Sequence, residues 1–234
     1  MILAGVAAFC SSVLSGVAGF GGALIFLPFL VALYGARSSV PILSVAVLLG
    51  NASRVYFNRK ELNLRVVLLF SLGAIPLAIL GSMVYVALPG LLIKKAIGLF
   101  LVLSALYQRF RKPFRFGGSW VFAPVGAASG FLSAIVGGIG PFTAPFFLAY
   151  GLAKEAFVGT ESLCAVVMHL TKSITYGKLN ILGRKELAVG LVFGAIMSVG
   201  SYAAKKILER LSREKFLLVV EILLVLIGIY MFFT

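Results

Sequence analysis

Aspartate is absent from this 234-residue chain, histidine and tryptophan occur once each, and cysteine occurs twice. Charged residues make up only 12% of the chain, about half the share of a soluble domain. That is too little charge to coat a globular surface in water, which excludes a soluble enzyme. Disorder is excluded by the opposite property: 61% of the residues are apolar, far more than a solvated chain carries. The two cysteines, Cys10 and Cys164, lie in apolar runs without CxxC spacing, so neither a disulfide framework nor a metal site is expected. HExxH, a Cys–His pair and a P-loop are all missing, so no enzyme activity and no cofactor are expected. The first charge is Arg37, so the basic start of a cleaved signal peptide is not expected either. Acids are scarce: seven Glu stand against 21 Lys and Arg, a net charge of +14. In a soluble protein this balance would suggest nucleic acid. Here the bases cluster between apolar runs, as in membrane proteins anchored by their loops, and nucleic acid is not an expected partner.

What the chain does have is apolar length. Its mean hydropathy is +1.11. About 20 apolar residues span a bilayer as a helix, so the chain reads as an all-α polytopic integral membrane protein. Charge-free runs place helices near 39–57, 66–87, 92–109, 155–176, 187–205 and 215–233. Two segments, 1–35 and 119–151, are too long for one comfortable span and too short for two. Each breaks at glycine: Gly19-Phe20-Gly21-Gly22 in the first, Gly137-Gly138-Ile139-Gly140 in the second. Glycine costs about 1 kcal/mol relative to alanine inside a helix, so these clusters are expected to break it. Small-residue packing between helices is the alternative use of such glycines.

The breaks recur at matching places. Ser15-Gly16 pairs with Ser129-Gly130, Pro28 with Pro145, Tyr34-Gly35 with Tyr150-Gly151, and Arg54 with Lys172. The chain therefore reads as two repeats, 1–116 and 117–234, each a glycine-broken hairpin (1–35 and 119–151) followed by three helices. If all eight segments cross the membrane, the Lys and Arg of the loops (all but Arg54 and Lys172) divide 10 against 9 between its sides. If the two broken segments are re-entrant hairpins, the division is 13 against 6, which the positive-inside rule prefers. Each repeat then crosses three times, the repeats are inverted, and both termini face outward. The expected location is a prokaryotic inner membrane.

Paired broken segments point to a transporter binding site. Unwound backbone at membrane depth is tolerated where it lines a wet cavity, and a helix starting there aims free N–H groups at anions. The expected substrate-binding residues are Gly19, Gly21, Gly22, Ala23, Gly137, Gly138, Gly140 and Phe142 at the breaks. Asn51, Arg54, Thr160 and Lys172 join them from the following helices. Snorkelling to the headgroups is the competing reading of Arg54 and Lys172. Glu161 and His169, eight residues apart and near one helix face, are proton-coupling candidates; a neutral or paired buried role is their alternative.

The two glycine-rich hairpins, each followed by a proline at Pro28 and Pro145, resemble those of the sulfite-exporter (TauE/SafE-type) family of membrane permeases. Gly159-Thr160 and His169-Leu170-Thr171-Lys172 are similar to that family's second half. The resemblance implies a secondary transporter for a small anion: sulfite, a sulfonate or a related organosulfur compound. Its partners would be that anion, the lipid bilayer, and a proton or another coupling ion, with a homo-oligomer left open. A passive anion channel and a membrane subunit of a larger complex are the competing functions.

Overall fold

A computed structural model describes residues 2–18, 22–110, 115–152 and 154–207. Gly19, Gly21 and the expected helix 215–233 lie outside the described residues. Every regular element among the described residues is helical. In chain order these are α1 (Ile2–Ala18), α2 (Gly22–Phe57), α3 (Leu64–Ala87), α4 (Gly90–Phe110), a 3-10 turn at Ser119–Val121, α5 (Phe122–Val136), α6 (Gly140–Ala149), α7 (Lys154–Lys178) and α8 (Arg184–Ile207).

The expected gap between residues 35 and 39 is not a loop. The chain breaks at one residue, Gly35 (φ 75°, ψ 162°), and turns helical again at once, so α2 is two helical stretches joined at a kink. The positive φ is the left-handed region that glycine reaches without strain. Ser39 Oγ donates to the Gly35 carbonyl at 2.5 Å, satisfying an acceptor that the kink frees. In the second half the corresponding junction is a turn around Gly151, also at positive φ.

Between α5 and α6 the break is complete. Gly137 (φ 86°) ends α5, its N–H bonding back to Ser133 O at 2.9 Å. Pro141 then sits in the first turn of α6, where its missing N–H costs nothing. Phe122, at the start of α5, and Tyr150, just past the end of α6, lie ring against ring at 5.4 Å between centroids. The chain thus returns to the end of the molecule from which α5 set out.

Small residues decide which helices touch. Gly126 lies against the Phe70 backbone and Gly130 against Ala74 and Ala78, so α5 and α3 run side by side in the same direction. A Cβ on either glycine would strike main-chain atoms of α3. Likewise Gly5 meets Ile196 and Gly16 meets Ser201 and Ala204, pairing α1 with α8. Thus α1 packs on α8 and α5 on α3, each pair joining the first half of the sequence to the second. Between them, α2 crosses α7 in the opposite direction: Gly159 meets Asn58, while Met168 and Val47 line one cavity.

Five helical stretches are long and apolar enough to span a membrane: Gly22–Phe57, Leu64–Ala87, Gly90–Tyr107, Ser119–Val136 and Arg184–Ala204. Large apolar side chains such as Leu68, Leu72, Leu103, Val192 and Val199 project outward and are exposed. An apolar exterior of this kind is what a lipid bilayer covers. The protein is a multi-pass membrane protein. The face of α7 that carries Glu161, His169 and Lys172 is buried, while Leu170 and Ile174 on the same helix are exposed.

Candidate functional site

The site grows from two cations, each one to two turns from the end of a long helix. Arg54 is 6% exposed and Lys172 is fully buried at 0%, so neither side chain snorkels to the exterior. Arg54 Nη1 donates to Ser15 Oγ at 2.7 Å and to Ser15 O at 3.3 Å. Its Nη2 donates to Asn51 Oδ1 at 2.5 Å. Lys172 Nζ donates to Ser133 Oγ at 2.6 Å, Ser133 O at 3.0 Å and Gly137 O at 3.1 Å. Each cation thus seats on the C-terminal turns of a hairpin's first arm, where unpaired carbonyls and the helix dipole favour positive charge.

Ser15 and Arg54 are 39 residues apart, and so are Ser133 and Lys172. Toward its base, Ser133 plays the part that Ser15 plays in the first half. The repeated 39-residue spacing of a serine and a base was the available signal for Ser133.

The two cations differ in what they have left. An ammonium has three donors, and all three of Lys172's go to protein acceptors. Lys172 therefore holds the Gly137 turn in place and has no donor free for a ligand. Arg54 keeps two of its five: Nη2 makes a single bond, and Nε is buried and has no hydrogen-bond partner.

Arg54 faces a cavity of about 40 Å³ between the halves. From the first half it is lined by Ser15, Ala23, Val47, Asn51 and Arg54. From the second half it is lined by Ser133, Gly138, Ile139, Gly140, Thr143, Glu161, Ala165, Met168 and His169. A smaller cavity of about 10 Å³ shares Ser15, Ala23, Val47 and Arg54 and adds Ser11, Ser12 and Gly22. The N-terminal ends of α2 and α6 meet here: a Cβ on Gly138 would come within 2.5 Å of Ala23 Cβ. Two helix starts and a guanidinium around a small void suit an anion. A void this size holds about three waters, or one oxyanion of a few atoms.

The structure thus gathers Ala23, Asn51, Arg54, Gly138, Gly140, Glu161 and His169 of the expected residues around one space, with Gly22 at its smaller neighbour. Glu161 is 8% and His169 4% exposed, and His169 Nδ1 has no hydrogen-bond partner. The other expected residues are engaged elsewhere. Thr160 Oγ1 accepts from Asn63 N at 3.0 Å, tying α7 to the start of α3. Phe142 packs against the Phe146 ring at 5.6 Å. Gly137 forms the turn against Leu27 and Leu43. Thr143 was not expected at the site; a lone threonine in an apolar helix carries no sequence signal of its own.

The family model described as Sulfite exporter TauE/SafE matches residues 3–231. No curated protein and no solved structure matches the chain.

Proposed function

Because the chain belongs to the sulfite exporter TauE/SafE family, whose members are membrane transporters and not enzymes, we propose that it carries a small anion through the cavity beside Arg54. Sulfite, a sulfonate or a related organosulfur anion is the substrate. One observation carries the reading: a buried guanidinium with uncharged hydrogen-bond partners and N–H groups to spare lines a cavity where two helix N-termini meet. The anion supplies an acceptor for the unused N–H groups and a negative charge beside the guanidinium. Desolvating an arginine is costly unless such a partner arrives, which favours occupancy by an anion over a neutral solute.

The two halves act as inverted repeats whose glycine-broken segments are re-entrant hairpins. The Phe122–Tyr150 contact supports a hairpin that leaves by the side it entered. The opposed directions of α2 and α7 support the inversion. Alternating access then comes from rocking one hairpin and its partner helix against the other around the fixed cavity. Both termini lie outside a prokaryotic inner membrane in this arrangement.

The test is flux through the purified chain alone in liposomes, with labelled sulfite, sulfate, methanesulfonate and a neutral solute of similar size. Saturable counterflow of one or more anions, and none of the neutral solute, is expected. Unitary conductance without counterflow would make the protein a channel, and no flux at all would make it a subunit of something larger.

A further inference from the structure

Arg54 shares its cavity with one carboxylate. Glu161 is the only acidic side chain among the described residues that line it. The other groups facing the same region are limited. On α7 itself they are His169, Cys164 and Lys172, the last with all three donors engaged. From α2 they are Arg54 and Asn51. The sequences of α1, α5 and α6 contain no charged residue. On α3, Arg65 is exposed and Tyr85 pairs with Tyr176, well along α7 from Glu161. When the cavity is empty, Glu161 is thus, among the described residues, the one negative charge lining the cavity to balance Arg54.

An entering anion brings a second negative charge into about 40 Å³ of space beside the same guanidinium. Two like charges repel strongly where little water screens them. Protonating Glu161 removes that repulsion and turns an acceptor into an O–H donor for the anion. Resting on the transport reading above, we propose that Glu161 is the exchangeable counter-charge of Arg54: ionised in the empty carrier and protonated in the loaded one, so that one proton crosses with each anion. The balance is simple. The carboxylate takes one proton from the side on which the anion binds and returns it to the side on which the anion leaves. A monovalent anion then moves without net charge, and a divalent one carries a single negative charge across.

The experiment uses the full chain in liposomes that enclose a pH-sensitive dye. Methanesulfonate and sulfate are the probes, because neither carries a proton across the bilayer as a permeant neutral acid. An inward gradient of labelled probe at equal pH should acidify the lumen by one proton per anion. Probe affinity should fall about tenfold per pH unit once Glu161 is ionised. Glu161→Gln should abolish acidification and flatten the pH profile while labelled exchange continues at an altered rate. Glu161→Asp should keep acidification, and His169→Gln should keep it too. Anion entry without acidification overturns the proposal, as does acidification that survives Glu161→Gln or is lost in His169→Gln. Loss of exchange together with acidification in a folded Glu161→Gln chain also overturns it, placing Glu161 in the anion path. If neither probe enters, the proposal fails; if labelled sulfite is also not exchanged, the transport reading fails with it.

Discussion

Replacing Arg54 with lysine separates charge from geometry at the proposed anion site. Lysine keeps the positive charge but has three donors on a single nitrogen. In the native site Nη1 donates twice to Ser15 and Nη2 once to Asn51, so Nε–H and one Nη2–H are left over. A lysine meeting the same three acceptors, Ser15 O, Ser15 Oγ and Asn51 Oδ1, has no donor left. The loss is then at least one charge-assisted hydrogen bond to the anion, worth about 1.5–3 kcal/mol. That corresponds to roughly 10- to 150-fold in affinity at about 1.4 kcal/mol per decade. The assay is competition against a labelled anion in detergent, read beside thermal unfolding to show that the variant is folded. The expected outcome is weaker binding by at least tenfold in a folded chain. Affinity within twofold of the parent would refute the reasoning: the cavity would then sense only positive potential, and the free Nε–H would have no role.

Lys172→Met should act on stability. It removes three hydrogen bonds, but Ser133 O still accepts from Gly137 N and Gly137 O from Ser133 Oγ. The loss is therefore about 2 kcal/mol, or about 4–8 °C in Tm for a chain of this size; an unchanged Tm would remove Lys172 from the turn. Topology is testable with single cysteines at Lys60 and Lys185 in a background lacking Cys10, which is exposed, and Cys164. An impermeant maleimide added to intact cells should label Lys185→Cys and not Lys60→Cys. The reverse pattern, or labelling at both positions, would sink the hairpin arrangement with outward termini.

The helices were legible because charges punctuate this chain so sparsely. Expected boundaries such as 66–87 and 155–176 lie within a few residues of α3 and α7. The continuous α2 was not legible: a Tyr-Gly step reads as a stop, and only the geometry at Gly35 shows a kink with no intervening loop. Gly130 read only as half of a repeated Ser-Gly pair and Gly126 carried no reading at all, yet both seat α5 on α3 across the two halves. Sequence distance hides such a contact, since residues 70 and 126 carry no shared pattern. At the site, the pairing of Arg54 with Lys172 was visible but their difference was not. Both are bases near a helix end, and what separates them is the number of acceptors each one meets. That depends on where the Ser133–Gly137 turn lies, which periodicity does not encode.

That difference matters for how a two-fold arrangement binds a single ion. Ser15 and Ser133, and Arg54 and Lys172, are both separated by 118 residues. Applied along α2 and α7, the same offset sets Asn51 against His169 and Leu43 against Glu161. The first half therefore presents a fixed cation beside a neutral amide, while the second presents both titratable groups. Leu43, fully buried, packs on Gly137 where its counterpart carries a carboxylate. A strictly symmetric site with a free guanidinium in each half and no carboxylate would hold an anion by double the charge and would release it slowly. Engaging Lys172 fully in the Gly137 turn leaves only the first half with donors to spare. In the proposed cycle, Glu161 beside Arg54 supplies a charge that returns as the anion leaves. Binding in that cycle is strong enough for capture and reversible enough for turnover, so the proposal predicts that the asymmetry between the halves, and not the cation alone, sets the rate of release.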